Sequence, residues 1–374
     1  MAQPRNYGFE EEAGMLKDSA RRLFAERLPS DRLHALVAAE YDPDRAPAVC
    51  WDEALWQEMV GLGWTSLAVP ERAGGLAMPW VAVAGLVEES GRAAVPAPLL
   101  VTLQVTALLR ELGPAADSAL AEIAAGCAAT VACMDEVGRA PATGVRVVDG
   151  KLSGVAPWVQ DAGKSSRFLV LAEDPDGSAA WYWVAGDAAG LQQRRDQILD
   201  LTRDQASLVF EGVACERIAA ASSDAWRAAE TVMLMLLSAE MVGAAEWQLQ
   251  TTVDYAQQRQ QFDRPLGFFQ AVKHQLVNVM LAVDESKSLL YSAACALDHE
   301  PERARELALM AKASAGDTAG FASGRAVQCH GGIGFTWECY VQLYFKRQEH
   351  SRRLYGDAAS HRAELARILV DRAA

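Results

Sequence analysis

Two stretches of the chain combine residue types able to hold a phosphorylated ligand. The first reads Tyr255-Ala-Gln-Gln-Arg259-Gln-Gln261-Phe262-Asp-Arg-Pro265-Leu-Gly-Phe-Phe269-Gln270-Ala-Val-Lys-His274. Tyr255 and Arg259 stand one helical turn apart and share a face. A guanidinium at a helix end can grip a phosphate through two parallel hydrogen bonds, and Phe262 adds a flat apolar surface beside it. The second reads Gln328-Cys-His-Gly331-Gly332-Ile-Gly334-Phe335-Thr336-Trp337-Glu338. Paired glycines after a helix permit close backbone approach and positive φ, and amides exposed in such a turn can hold a pyrophosphate. It follows a helix and lacks the GxGxxG spacing, so it does not indicate a Rossmann unit. Taken singly, the first stretch is also what a capped helix end and polar turn look like, and the second a helix cap with a tight turn.

The elements that must position these stretches fall into three zones: 1–127, 128–221 and 222–374. In the first, Leu16, Ala20, Leu23 and Phe24 repeat at helical spacing, as do Leu55, Met59 and Val60. Pro70, Gly74 and Gly75 interrupt it, Val81 to Gly91 resumes it, and Pro96 and Pro98 end it. The second zone has the texture of antiparallel strands. Val145 and Val147 flank Arg146, and short apolar runs follow at Phe168 to Leu171, Trp181 to Val184 and Ser207 to Phe210. Asp149-Gly150, Asp176-Gly177 and Gly186-Asp187 supply turns between them. In the third zone Leu234, Leu237, Met241 and Ala244 predict a helix from about Trp226 to Arg259, which Pro265 ends. Val272, Leu276, Val279 and Val283 mark a second, Glu302 to about Gly324 a third, and Val341 to Leu354 a fourth. Helices, then strands, then long helices is an α+β multidomain order, not an alternating α/β one.

The 374 residues suffice for two or three domains. A net charge of -14 disfavours nucleic acid as a partner, which needs clustered Lys and Arg. The amino-terminal residues have no apolar signal core, and no uninterrupted apolar run reaches the roughly 20 residues of a bilayer span. Seven scattered cysteines without a CxxC pair suit reduced thiols and a cytoplasmic protein. Six histidines show no metal-ligand spacing, and no metal is expected.

Together, the order YxxxRxQF, P-L-G-x-F-Q-A-V-x-H and QxxGGIGFTWE closely resembles the acyl-CoA dehydrogenase family. Gly63-Trp64-Thr-Ser-Leu-Ala-Val-Pro70-Glu71 with Gly74-Gly75 looks like that family's amino-terminal landmark. The resemblance implies an amino-terminal helical domain, a middle antiparallel β-barrel-like domain and a carboxy-terminal four-helix bundle. It implies FAD bound between subunits of a tetramer, with an acyl-CoA substrate and an electron-transfer acceptor protein. Arg259 and Phe262 match the positions that hold the pyrophosphate and adenosine part of a neighbour's FAD. Gln270 matches a further FAD contact, and Gln328, Gly331 and Gly332 match the stretch that meets the same nucleotide.

The chain departs from the family where the chemistry is done. The family reaction removes a proton beside the thioester and passes a hydride to the flavin, which needs a carboxylate base in a dry pocket. Where most members have that Glu, this chain has Tyr355 or Gly356, depending on how the turn is matched. At the alternative helix position, 26 residues before Arg259, it has Met233. Asp357, Glu230 and Glu240 are the nearby carboxylates. Each reads first as structural: Asp357 as the cap of a helix beginning near Ala358, the two glutamates as paired or solvent-facing. The ring-binding loops are also altered. Cys133-Met-Asp-Glu136-Val-Gly-Arg lacks a proline, and Pro157-Trp158-Val-Gln160-Asp161 keeps its Trp but not a threonine. This pattern resembles the smaller subunit of heterotetrameric steroid side-chain acyl-CoA dehydrogenases, in which a larger homologous partner supplies the catalytic Glu. The alternatives are a self-sufficient homotetramer with a displaced base, Asp357 foremost, and a non-enzymatic flavin-fold binding protein.

Overall fold

The computed structural model describes residues 3–38 and 49–373. Six helices come first: α1 (Glu11–Arg27), α2 (Ser30–Ala38), α3 (Glu53–Gly61), α4 (Trp80–Arg92), α5 (Leu99–Glu111) and α6 (Asp117–Ala124). Eight strands follow: β1 (Ala129–Ala132), β2 (Gly144–Val148), β3 (Lys151–Gln160), β4 (Arg167–Glu173), β5 (Ala179–Ala185), β6 (Leu191–Arg195), β7 (Gln205–Val213) and β8 (Glu216–Ala220). The chain then returns to helix in α7 (Ser223–Gln258), α8 (Gln270–His299), α9 (Pro301–His330), α10 (Val341–Ser351) and α11 (Ala358–Ala373).

The strands form one sheet in the order β6-β7-β3-β2-β4-β5-β8, with β1 also on β4. One expectation is corrected here: the sheet is mixed, not antiparallel throughout, because β1 runs parallel to β4 in the register Ala129↔Arg167 and Arg146 of β2 meets Glu173 in parallel. The barrel-like sheet is open, with β6 and β8 as its two ends. The antiparallel signals were the local ones. Asp149 and Gly150 both take positive φ, 51° and 74°, which suits a two-residue hairpin whose twist matches its strands. A parallel pair needs a long crossover, and nothing in the four residues of β1 signals which distant strand they will join.

Helix α7 is the centre of the molecule. Trp226, Met233 and most residues from Thr231 to Ala245 are buried, so it has no polar face. It is long and apolar enough to cross a bilayer, yet 89% of its most apolar window is buried within the protein, as the core helix of this fold. Helices α8, α9 and α10 pack beside it as the expected four-helix layer, α11 packs on α9, and α4 and α5 cover its other side. The crossing with α4 is close. A Cβ placed on Gly243 would lie 1.8 Å from the Glu88 carbonyl oxygen, and one on Gly91 would lie 2.1 Å from that of Glu240.

Candidate cofactor and substrate site

Arg259 caps the end of α7, where its amide donates to the Tyr255 carbonyl at 2.8 Å. A two-strand ladder of Gln260–Gln261 with Arg264–Pro265 then turns the chain through Phe262 and Asp263, both at positive φ. The turn holds Phe262 out, 87% exposed. Arg259 is exposed and makes no ion pair among the described residues. Gln270 opens α8 on the same connection and is also exposed. The second stretch is joined to the first by a stack: the Tyr255 ring lies 4.2 Å from that of His330, at 22°. His330 ends α9, and Gly331, at φ 65°, turns the chain away. Nothing lies within 4 Å of a Cβ built on Gly331 or Gly332, and Gln328 is exposed one turn earlier. An unpaired cation, an outward aromatic face and an open glycine turn fit the nucleotide half of FAD.

A second site lies where the two altered β loops meet the turn between α10 and α11. A cavity of ≈ 220 Å³ is lined by Met134, Gly138, Trp158, Gln160, Gln205, His350, Arg353, Leu354 and Tyr355. No aspartate or glutamate is among them. Tyr355 stands at φ 54°, with its ring 6.4 Å from that of Trp226. Burial, with Cys133 and Glu230 nearby, pushes its phenol well above the ordinary value, so it is no base at neutral pH. Gly356 has no room for a longer residue, since a Cβ would meet Ser360 Oγ at 2.9 Å and the His361 ring at 3.0 Å. The turn is held from below by Lys312, fully buried, whose Nζ donates to the carbonyls of Arg352 and Gly356 at 3.1 Å each. Burial holds that ammonium down to about 8.

The remaining base candidates point elsewhere. Met233 is fully buried among Trp181, Trp226 and Cys133. Glu230 pairs with Arg305 at 2.8 Å and lines a separate groove with Trp226 and Glu364. Burial raises its carboxyl, and Arg305 opposes the rise. Asp357 is exposed and accepts the Ser360 amide at 2.9 Å, as a cap of α11 does. Glu240 is 2% exposed, gripped by Arg203 on one oxygen and by Arg347 at 2.5 Å on the other. Burial works to raise its carboxyl, but the two guanidiniums and Ser351 prevail and hold it down to about 2. His350 and Gln205 were not foreseen as lining residues. His350 stands five residues before Tyr355, about one helical turn, and that spacing was the available signal.

The comparisons with known proteins follow the same division of the chain. The profile of the acyl-CoA dehydrogenase N-terminal domain matches residues 10–119, and that of the acyl-CoA dehydrogenase C-terminal domain matches residues 218–370. The acyl-CoA dehydrogenase IpdE2 of Mycobacterium tuberculosis is 32% identical over 348 residues, covering 92% of this chain and 93% of the relative. FadE28 of the same organism is 30% identical, covering 83% and 90%. Among solved structures, a variant of the steroid ACAD Tcur3481-Tcur3483 superposes with a TM-score of 0.84 at 30% identity, covering 97% of this chain and 99% of that one. The ChsE4-ChsE5 complex from Mycobacterium tuberculosis has the same fold, with a TM-score of 0.84 at 24% identity over 97% and 98%. This chain belongs to the acyl-CoA dehydrogenase family of FAD-dependent oxidoreductases.

Proposed function

We propose that this chain is the non-catalytic subunit of a heteromeric acyl-CoA dehydrogenase that introduces an α,β double bond into a bulky, steroid-derived acyl-CoA. The observation that carries the reading is the cavity at Tyr355, which no carboxylate among the described residues lines. The base that takes the α proton then belongs to a larger homologous subunit. Bound FAD supplies the two-electron acceptor. In this chain Arg259 would pair with its pyrophosphate, and Phe262 would cover its adenosine. Gln270, Gln328 and the amides at Gly331 and Gly332 would complete the grip. An electron-transfer protein would accept the electrons from the complex. The solved two-component proteins Tcur3481-Tcur3483 and ChsE4-ChsE5 support the pairing, and the first, a steroid ACAD, supports the substrate class. All seven cysteines are free, in keeping with a cytoplasmic complex.

The test is expression of the chain alone and together with its larger homologue, followed by absorbance spectra of the purified proteins. Little flavin is expected in the first and a yellow, active complex in the second. A stoichiometrically yellow, active homotetramer from this chain alone overturns the reading.

A further inference from the structure

Helices α7 and α9 pack along a seam that ends where the two stretches proposed to hold FAD begin. Ser323 Oγ on α9 donates to Gln248 Oε1 on α7 at 3.1 Å, with both residues fully buried. Seven residues on along each helix, the Tyr255 ring faces the His330 ring, with 4.2 Å between centroids and 22° between planes. Equal steps in the same direction mean that the two helices run parallel here, and seven residues carry the second contact roughly 10 Å beyond the first. Past this rung, α7 ends with Arg259 as its cap, and α9 ends at His330 itself with Gly331 as its cap.

Each ring is tied to the grip residue beside it. His330 Nδ1 lies 2.8 Å from the Ala326 carbonyl, one turn back on α9. A carbonyl only accepts, so Nδ1 carries the proton. Burial, opposed by that bond, holds the imidazole below its ordinary value, so the ring is neutral at physiological pH. The glycine turn folds back against the same residue. A Cβ on Gly334 would lie 3.2 Å from His330 Cβ and 2.9 Å from the Val327 carbonyl oxygen. His330 therefore sets where Gly331 and Gly332 stand. On α7, the Arg259 amide donates to the Tyr255 carbonyl, and the Arg259 carbonyl accepts the Leu266 amide, each at 2.8 Å. Tyr255 Oη reaches the His330 carbonyl only at 3.5 Å, a weak bond. The ring faces carry the contact.

We propose that His330 is a positioning residue for FAD: stacked on Tyr255, it fixes the spacing between the Arg259 guanidinium and the Gly331–Gly332 amides so that both close on one pyrophosphate. The proposal rests on the reading that these two stretches hold FAD. A two-bond guanidinium grip is sensitive to placement, and backbone amides have no side-chain freedom with which to follow a ligand. At the wrong spacing, each half binds without the help of the other.

The test is a double-mutant cycle, read by FAD titration of the flavin-free complex of this chain with its larger homologue and by thermal midpoints recorded without FAD. His330→Ala and Tyr255→Ala remove the stack from opposite helices, and each is expected to weaken FAD at least about tenfold. His330→Phe and Tyr255→Phe keep a flat ring and are expected to stay within about threefold of wild type. In an Arg259→Ala background, His330→Ala is expected to cost less than about threefold, because the spacing to a missing guanidinium no longer matters. Alanine variants that melt lower but bind FAD as wild type does would mark the stack as merely structural and overturn the proposal. A full additive loss in the Arg259→Ala background overturns it too, by making His330 an independent contact. So does a His330→Phe as weak as His330→Ala, which gives the role to a ring nitrogen. If Arg259→Ala weakens FAD and the stack variants do not, the proposal falls and the FAD reading stands. If none of them weakens FAD, both fall. Should the alanine variants fail to fold, His330→Leu, apolar and of similar size, carries the same comparison.

Discussion

At the scale of single residues, the two sets of side chains that bear on the reaction differ in how they are held. Arg259 is exposed and makes no ion pair among the described residues, so little in the described fold depends on it and its removal reports on the ligand. Arg259→Ala is expected to weaken FAD retention in the assembled complex by about 1.5–3 kcal/mol, the loss of a charge-assisted bidentate contact. Dialysis followed by flavin absorbance measures it, with tetramer integrity checked by gel filtration. Unchanged retention at intact assembly removes Arg259 from the grip. Asp357 is the opposite case. Its carboxylate accepts the Ser360 amide, a bond that asparagine also makes. Asp357→Asn should therefore leave single-turnover flavin bleaching by acyl-CoA within a few-fold of wild type. Loss of a true general base costs about 100-fold or more, and a loss of that size would restore the displaced-base reading.

At the scale of elements, α7 is fixed to its neighbours in two ways, one steric and one electrostatic. Its crossing with α4 leaves no room at Gly243, where an added methyl would meet the Glu88 carbonyl at 1.8 Å. Alanine favours helix over glycine by roughly 1 kcal/mol. Here the obstacle is backbone, which cannot swing aside as a side chain can, so strain prevails. Gly243→Ala is expected to destabilise by about 1–3 kcal/mol or more, seen as a lower denaturation midpoint. A rise in that midpoint would show that the helices part freely. The electrostatic fixing is Glu240 between Arg203, ahead of β7, and Arg347 on α10. Removing its charge leaves two buried guanidiniums facing an uncharged amide. Glu240→Gln should cost about 3–5 kcal/mol. Its carboxyl is held at about 2, below the roughly 4.3 of an unfolded glutamate. The stability it contributes is therefore present above about pH 4.3 and fades as the pH falls toward 2. Thermal melts between pH 5 and 3 should fall more steeply in the wild type than in Glu240→Gln, and parallel curves would contradict the assignment.

At the scale of the whole molecule, the two candidate sites share no residue, one built on the α7–α8 and α9–α10 connections and the other on the β loops and the α10–α11 turn. Much of this plan was legible in the sequence. The helix expected from Trp226 to Arg259 runs Ser223–Gln258, and the apolar runs at Phe168 and Trp181 are neighbouring strands, with Phe168 opposite Val184. The residues proposed to grip FAD stood out because their chemistry depends on side-chain type and local spacing: an arginine at a helix end, glycines just past another. Strand β6 was missed because Leu191-Gln-Gln-Arg-Arg195 is polar and carries no alternation, and it pairs only with β7. The fates of the carboxylates were decided by tertiary structure. Asp357 answers to Ser360 three residues on, and its capping role could be read locally. Glu240 answers to Arg347, 107 positions away, and Glu230 to Arg305. His350 answers to Gln160, 190 positions away. Periodicity, caps and turns are settled between residues that are near in sequence, so the amino-acid order shows them directly. Which charge a buried carboxylate meets, and which side chain a histidine nitrogen meets, is settled by the chain's long-range packing, which brings those groups within a hydrogen bond's length.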